Sequence, residues 1–355
     1  MMSPRFGSNG VTIQDVAKAA GVSKKTVSRV INGEDYVTEK TAERVQQAIA
    51  SLGYVPNVSA RRLASNRSYV LTLVYQAEEP PGWLTHVIQG IVQTAATHGY
   101  EVVIHPCEAE EKASQQSLQA LVMRGGTDGL VLLPPFGSKT AFNLRLFEEG
   151  MPMASIEPSD PDLPWPVATI TNRQGAYDMA AYLLSLGHRR IGFILGPSDY
   201  SGSWERLDGF KAALAAEGVP HEEGLVVAGD YTFESGLAQG RILLAAPMLP
   251  SAIFASNDEM AAGVIQAAYE LGLRVPDDIS VVGFDDSALA CRLSPPLTTI
   301  RQPTVELAAQ LTEALIKRIN GDEGEETRIE MTTCLVIRDS ATSLMVAPDI
   351  PSDKT

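Results

Sequence analysis

Thr12-Ile13-Gln14-Asp15-Val16-Ala17-Lys18-Ala19-Ala20-Gly21-Val22-Ser23-Lys24-Lys25-Thr26-Val27-Ser28-Arg29-Val30-Ile31-Asn32 decides the reading of this chain. Thr12 is placed to cap a first helix, and Asp15, three residues on, completes a capping-box-like pair. Val16, Ala17 and Ala20 fall on one face at helical spacing. Gly21 takes a turn geometry that a residue with a Cβ resists. Ser23 caps a second helix, whose apolar stripe is Val27, Val30 and Ile31. Two short amphipathic helices meeting at a glycine make a helix-turn-helix. The leading turn of the second helix enters the DNA major groove in that motif. Lys24, Lys25 and Arg29 are the candidate base readers, because their cationic groups suit the O6 and N7 acceptors of guanine. Thr26 and Ser28 belong to the same DNA-facing set. Thr12, Ser23 and Asn32 lie near helix ends, where short polar groups touch phosphate. A third helix, capped by Thr38 and running to about Leu52, supplies Val45, Ile49 and Leu52 to close the small core.

Tyr54-Val55-Pro56-Asn57 ends that module: Pro56 disfavours helix at Val55, and Asn57 can cap the next segment. Val58-Ser59-Ala60-Arg61-Arg62-Leu63-Ala64-Ser65 then forms a helical stretch too short to be stable alone in water. Arg61 and Arg62 suit phosphate contact, and Leu63 is an apolar wedge for a base step in the minor groove. A plain linker is the competing reading of these residues.

The chain of 355 residues is too long for one ordinary domain, and 45% hydrophobic with 20% charged residues describes a globular protein. No stretch has the apolar length of a membrane span and no secretory h-region follows the N-terminus, so a cytoplasmic location is expected. Cys107, Cys291 and Cys334 are scattered, without CxxC, which argues against a disulfide framework or a zinc site. His105-Pro106-Cys107 reads as an ordinary strand end. The net charge of −15 divides unevenly. Residues 1–68 hold ten Lys/Arg against five Asp/Glu, whereas the rest holds eighteen against thirty-eight. A basic module on an acidic body confines nucleic-acid contact to the N-terminal end.

From Tyr69 short apolar strands alternate with helices, which means parallel sheets in βαβ units. Strands are expected at Val70–Tyr75, Glu101–His105, Gly129–Leu133, Pro152–Ile156, Val167–Thr169, Arg190–Leu195, Leu225–Val227, Ala252–Ala255 and Ile279–Phe284. Nine strands over that length suggest two sheets, with a small-molecule crevice near their carboxyl ends. GxGxxG, GxxxxGK[ST], GxSxG and HExxH are absent, and no Ser/His/Asp trio stands out among five dispersed histidines. An enzyme is not expected.

Several segments carry a resemblance: Thr12–Asn32, the Tyr54–Ala64 stretch, Leu186-Gly187-His188-Arg189-Arg190-Ile191-Gly192-Phe193 and Glu205-Arg206-Leu207-Asp208-Gly209-Phe210. Ser256-Asn257-Asp258-Glu259-Met260-Ala261-Ala262-Gly263-Val264, Leu273–Asp286 and Pro296–Pro303 extend it. In this order and spacing the chain resembles the LacI/GalR family of bacterial transcription regulators over nearly its whole length. The resemblance implies a homodimer on a palindromic DNA operator, a periplasmic-binding-protein-like effector domain, and a sugar-type effector with no cofactor. It matches Leu63 to the leucine that levers open the central operator step, with Asn57 and Arg61 beside it in the DNA-contacting set. It matches Arg206 to an arginine holding ligand hydroxyls or carboxylates, and Asn257 and Asp285 to a polar pair of the second lobe. Glu157 sits where members carry an aspartate or another polar group, and Tyr231 where some place a stacking aromatic. After the first strand the chain departs from the common Asp-x-x-Asn-Pro-Phe-Phe pattern with Glu78-Glu79-Pro80-Pro81-Gly82-Trp83, so Trp83 stands in for the ring-stacking phenylalanine. Asp285-Asp286 also reads as a capped turn, and Arg206 as a surface ion-pair partner.

The expected fold is therefore an N-terminal all-α helix-turn-helix domain with a hinge helix, then an α/β two-lobed body of two doubly wound parallel sheets. The expected boundaries are 11–55 for the DNA-binding domain and 56–68 for the hinge. Residues 69–170 with 299–328 form the first lobe, and 171–298 with 329–345 the second. The functional expectation is a ligand-responsive repressor of carbohydrate uptake or catabolism genes. A sugar-binding transport-type protein shares the body but has no use for residues 11–65. Activator and dual regulator are not separable from repressor by sequence. The polar, proline-containing end from Asp339 shows no leucine heptads, which favours a dimer over a tetramer.

Overall fold

The computed structural model describes residues 11–31, 37–54, 67–77, 81–108, 111–322 and 328–344. Asn32, the hinge helix with Asn57, Arg61 and Leu63, and Glu78 to Pro80 lie outside these residues. The chain divides into two compact units, Met1–Ser68 and Tyr69–Thr355.

In the first unit, α1 (Ile13–Ala20), α2 (Lys24–Ile31) and α3 (Glu39–Leu52) pack around Val16, Ala17, Ala20, Val27, Val45 and Ala48. Val30, Ile31, Ile49 and Leu52 close the rim of that core, half-buried. Gly21 ends α1 in the left-handed region at φ 64°, and the Val22 amide behind it donates to the Ala17 carbonyl at 3.0 Å. This αL cap answers carbonyls that a helix end otherwise leaves open. Thr38 holds the cap position of α3, but its hydroxyl bonds the Thr41 hydroxyl at 3.0 Å and not a backbone amide.

In the second unit the first sheet has six parallel strands in the order β11-β5-β4-β3-β1-β2. They are β1 (Val70–Gln76), β2 (Glu101–Cys107), β3 (Gly129–Leu132), β4 (Met153–Ile156), β5 (Val167–Ile170) and β11 (Arg328–Met331). Its helices are α4 (Pro81–Thr97), α5 (Glu111–Met123), α6 (Ala141–Glu148) and α11 (Thr304–Ile319). The second sheet is parallel with order β7-β6-β8-β9, from β6 (Ile191–Leu195), β7 (Val226–Ala228), β8 (Ala252–Ala255) and β9 (Ser280–Val282). Its helices are α7 (Asn172–Ser185), α8 (Ser201–Ala216), α9 (Phe233–Leu244) and α10 (Asp258–Glu270). Central strands such as β3, β4, β6 and β8 are buried along their whole length, as strands covered on both faces must be.

The chain passes between the lobes three times: from β5 into α7, from β9 through β10 (Thr299–Arg301) into α11, and from β11 into β12 (Cys334–Val336). β10 and β12 pair antiparallel at these passages, with Ile300 opposite Leu335. The expected break at residue 328 is corrected here. Arg328–Met331 pairs with Val167–Ile170 as the edge of the first sheet, so the return to the second lobe follows Met331. β10, β11 and β12 are not among the strands expected from local pattern. α8 begins at Ser201, and its Gly/Ser start is buried at Gly202 and Ser203.

Helices of the second lobe approach backbone to backbone at glycines. A Cβ on Gly236 would lie 2.2 Å from the Met260 carbonyl oxygen, and one on Gly263 would lie 2.3 Å from that of Phe233. α9 and α10 therefore touch where only hydrogen fits on either side. Gly263→Ala is expected to destabilise the full-length chain by about 1–3 kcal/mol through overpacking. Urea unfolding followed by circular dichroism reads this as a lowered midpoint. An unchanged midpoint would contradict the close approach.

Candidate functional site

The recognition helix is built as its sequence directs. The Ser23 hydroxyl accepts the Thr26 amide at 3.1 Å and bonds the Thr26 hydroxyl at 2.9 Å, so both residues fasten the start of α2. Lys24 and Lys25 stand exposed on its first turn, with Ser28 and Arg29 half-buried further on. The Thr12 amide and hydroxyl both donate to Asp15 Oδ2, at 2.9 and 2.7 Å. Those bonds hold the Asp15 carboxyl below its ordinary range.

The second unit contains a cleft of about 460 Å³, counted out to its open mouth, at the carboxyl ends of both sheets. Trp83, Glu157, Arg206, Tyr231, Asn257 and Asp285, the six residues singled out in the sequence, all line it. Pro134, Tyr200, Gly202 and Gln302 complete the lining. Nearly all of these residues sit on the loop or helix start that follows a strand, where open α/β sheets place their ligands.

Arg206 is the fixed point. It is 7% exposed and lies on α8. Its Nε donates to Asn172 Oδ1 at 2.9 Å and its Nη1 to the Ser256 carbonyl at 2.6 Å. Asp285 Oδ1 is 4.0 Å from Nη1. The guanidinium stacks 3.8 Å from the Phe284 ring centroid, a cation–π contact. Gln302 Nε2 donates to Asp285 Oδ1 at 2.5 Å, and Asp285 adopts φ 126°. Asp286, beside it, has a structural role. Burial opposes its charge, but Arg338 and Arg301 outweigh that and hold its carboxyl below the usual range.

Glu157 approaches from the first lobe with φ 48°. Its Oε1 accepts the Ile170 amide at 2.6 Å and its Oε2 accepts Asn172 Nδ2. Enclosure of the carboxyl pushes its pKa up to about 7. The two hydrogen bonds and Arg206 oppose that rise, and the nearby Glu205 charge adds to it. Asp258 is fully buried, and burial pushes its carboxyl well above the usual carboxylate range, against hydrogen bonds from Thr299 and Ser287.

Tyr231 has φ 69°, and its hydroxyl bonds Ser203 Oγ at 2.8 Å. Its ring meets Tyr200 edge to face with centroids 5.9 Å apart. A Cβ on Gly196 would fall 2.3 Å from the Tyr231 ring, so the aromatic occupies space that only glycine leaves. Asn257 caps α10 by accepting the Met260 amide at 2.9 Å and donates to the Tyr231 carbonyl at 2.9 Å. One lone pair and one N–H of its amide remain for a ligand. Asn172, Gln302, Tyr200 and Pro134 were not anticipated. An Asn at the start of the helix after β5, and the Gln302 within Arg301-Gln302-Pro303, were the available signals. His188 is structural: its ring bonds Ser251 Oγ at 2.9 Å and the Thr342 carbonyl at 3.0 Å.

The arrangement offers carboxylates and amides to hydroxyl groups, a guanidinium to oxygen acceptors, and aromatic faces to C–H surfaces. Among the described residues no helix is long and apolar enough to cross a membrane.

Comparison with known proteins agrees with this construction. The model of bacterial regulatory proteins of the lacI family matches residues 12–57, and that of a periplasmic binding protein-like domain matches residues 180–341. The ribose operon repressor of Escherichia coli (strain K12) is 34% identical over 330 residues, covering 93% of this chain and 99% of that protein. The HTH-type transcriptional repressor CytR of the same strain is 35% identical over 347 residues, 97% and 100% of the two chains. Among solved structures, the complex of the transcriptional regulator CelR with cellobiose aligns at TM-score 0.70 with 33% identity, over 93% of this chain and 100% of that one. The lac repressor dimer bound to operator and the anti-inducer ONPF aligns at TM-score 0.74 with 28% identity, over 94% and 99%.

The Glu157 environment has a pH signature. Its folded pKa of about 7 lies above its ordinary 4.5, so the folded state binds the extra proton between those values. Stability from this group is present below about pH 4.5 and is lost as pH rises to about 7. Relative to Glu157→Gln, the native chain should lose stability across that window and run parallel above it, as measured by urea unfolding at a series of pH values. A constant difference from pH 4.5 to 8 would show that the carboxyl is not enclosed as described.

Proposed function

The chain belongs to the lacI family of bacterial regulatory proteins, and we propose that it is a repressor binding a palindromic operator as a homodimer. In this reading a sugar or sugar derivative governs it, no cofactor is needed, and it controls carbohydrate uptake or catabolism genes in the cytoplasm. One observation carries the effector half: Trp83, Glu157, Arg206, Tyr231, Asn257 and Asp285, drawn from both lobes, converge on a single cleft. A sugar presents a ring of hydroxyls and apolar C–H faces, which this mixture of carboxylate, amide, guanidinium and aromatic groups complements. Polar groups left unpaired by the wrong epimer supply discrimination. The names of the relatives support the same class: a ribose operon repressor and a regulator solved with cellobiose.

The exposed Lys24 and Lys25 on the first turn of α2 support operator reading, with Arg29 one turn later. Support for a dimer comes from apolar groups left on the surface. Val103 and Ile104 are exposed on the edge strand β2, and Tyr269 and Leu271 at the end of α10. The lac repressor neighbour is itself a dimer on operator.

Selection from a random duplex library with the purified full chain, at near-physiological salt to suppress nonspecific phosphate attraction, tests this directly. Enrichment of an inverted repeat is expected, and that repeat then reports on sugars. Falling affinity on adding D-ribose or cellobiose marks induction, rising affinity marks corepression. No enrichment, with or without pooled sugars, would overturn the reading. Arg29→Ala should relax preference at one base of each half-site by about 1–3 kcal/mol, whereas a uniform loss on all sequences would make Arg29 a phosphate contact.

A further inference from the structure

We propose that Asn172 is a positioning residue of the cleft, whose side-chain amide holds Glu157 of the first lobe and Arg206 of the second in the orientations a ligand meets. The proposal rests on reading the cleft as an effector site. Asn172 does not line the cleft; it stands 1% exposed behind it, as the first residue of α7. Its Nδ2 donates to Glu157 Oε2 and its Oδ1 accepts Arg206 Nε at 2.9 Å. The two partners dictate the amide's orientation. A carboxylate only accepts and a guanidinium only donates, so a flipped amide would set donor against donor and acceptor against acceptor.

The amide is also confined. A Cβ on Gly202 would lie 3.1 Å from Asn172 Nδ2, so α8 closes over it. One residue earlier, the Thr171 hydroxyl accepts the Thr333 amide at 3.0 Å, tying the first passage between the lobes to the third. Asn172 thus sits where the chain changes lobes and grips one charged group from each. Any relative movement of the lobes that alters the Glu157–Arg206 separation must stretch or break its hydrogen bond to one or the other. A neutral amide, with a donor at one end and an acceptor at the other, serves both partners. An aspartate would face Glu157, and also Glu205 next to it, with like charge. A leucine would leave the half-buried Glu157 carboxylate and the buried Arg206 guanidinium each short of a partner, which costs more than an exposed loss.

The test uses the purified full chain and three variants, Asn172→Asp, Asn172→Leu and Asn172→Ser. Two readouts are taken. The first needs no ligand: the Glu157 carboxyl is followed by ¹³C NMR against pH, with its signal identified through Glu157→Gln. In Asn172→Leu the Glu157 midpoint should rise by about one pH unit or more, since a hydrogen bond to the charged form is gone. The second is calorimetric titration with D-ribose and with cellobiose at pH 8 and pH 5. The groups facing position 172 that bear on this are Glu157, Glu205 and Arg206, with Asp285 beyond Arg206. Asn172→Asp should lose about tenfold or more in affinity relative to wild type at pH 8. The loss should shrink at pH 5, where the new carboxyl is protonated and can donate. A purely structural role predicts lower stability with unchanged affinity and no pH-dependent rescue. An unshifted Glu157 midpoint together with wild-type affinities overturns the proposal. If wild-type protein binds neither sugar, those sugars are excluded as effectors, and the Glu157 midpoint alone decides the role of Asn172. Asn172→Ser, which keeps a small polar group, supplies the same readouts should the leucine variant fail to fold.

Discussion

A guanidinium does not escape burial by giving up its proton, so a buried arginine must be met by its surroundings. At 7% exposure Arg206 imposes that condition on the whole cleft. Its partners come from distant parts of the chain: Asn172 at the start of α7, the Ser256 carbonyl after β8, and Phe284 and Asp285 after β9. Each must arrive in register, which fixes how the strand ends of the second sheet are splayed. Through Asn172 the same condition reaches Glu157 in the first lobe. The carboxyl there is raised towards neutrality by burial, although an arginine stands nearby. Glu157 is thus not a simple counter-ion to Arg206, and both groups retain polar capacity towards the space between them.

The backbone shows a related strain. Glu157, Tyr231 and Asp285 are non-glycine residues with positive φ, and all three line the cleft. Conformations of this kind cost roughly 1–3 kcal/mol each and persist only where the surroundings enforce them. Here the enforcement is visible. The Glu157 amide donates to the Ala168 carbonyl at 2.9 Å and the Asp285 amide to the Ile300 carbonyl at 2.8 Å, so neighbouring strands hold both turns. Tyr231 is held through its hydroxyl at Ser203 and through the Cβ-free Gly196 beneath its ring.

Much of this was legible in the sequence, for physical reasons that differ by region. The helix-turn-helix is local: Val16, Ala17, Ala20 and Val27 make its core through helical periodicity and one glycine turn. The buried strands announced themselves as short apolar runs. β11 did not, because Arg328–Met331 alternates exposed and half-buried residues, and only its distant partner β5 makes it a strand. The six cleft residues were reached through family resemblance, five of them at charged or aromatic positions and Asn257 as a polar position of the second lobe. Asn172 and Gln302 are not among the cleft positions the resemblance marks, and as uncharged amides they leave no trace in composition or periodicity. Asn257 was read as a ligand group, and the structure shows that it also caps α10. The Asp285-Asp286 pair divides its roles, one residue at the cleft and the other locked between two arginines.

The interleaving of the two lobes also bears on how the molecule is made. The edge strand of the first sheet is supplied by Arg328–Met331, and residues as late as Thr342 and Leu344 bond back into the second lobe. Neither lobe is therefore a continuous length of chain. The N-terminal helices, whose core lies within residues 16–48, have what they need as soon as they leave the ribosome, where domains fold in order of emergence. The two-lobed body must wait for residues 328–344. A message broken near its end would yield an operator-reading head joined to a sensor lacking its closing strand, able to search DNA but not to answer a signal.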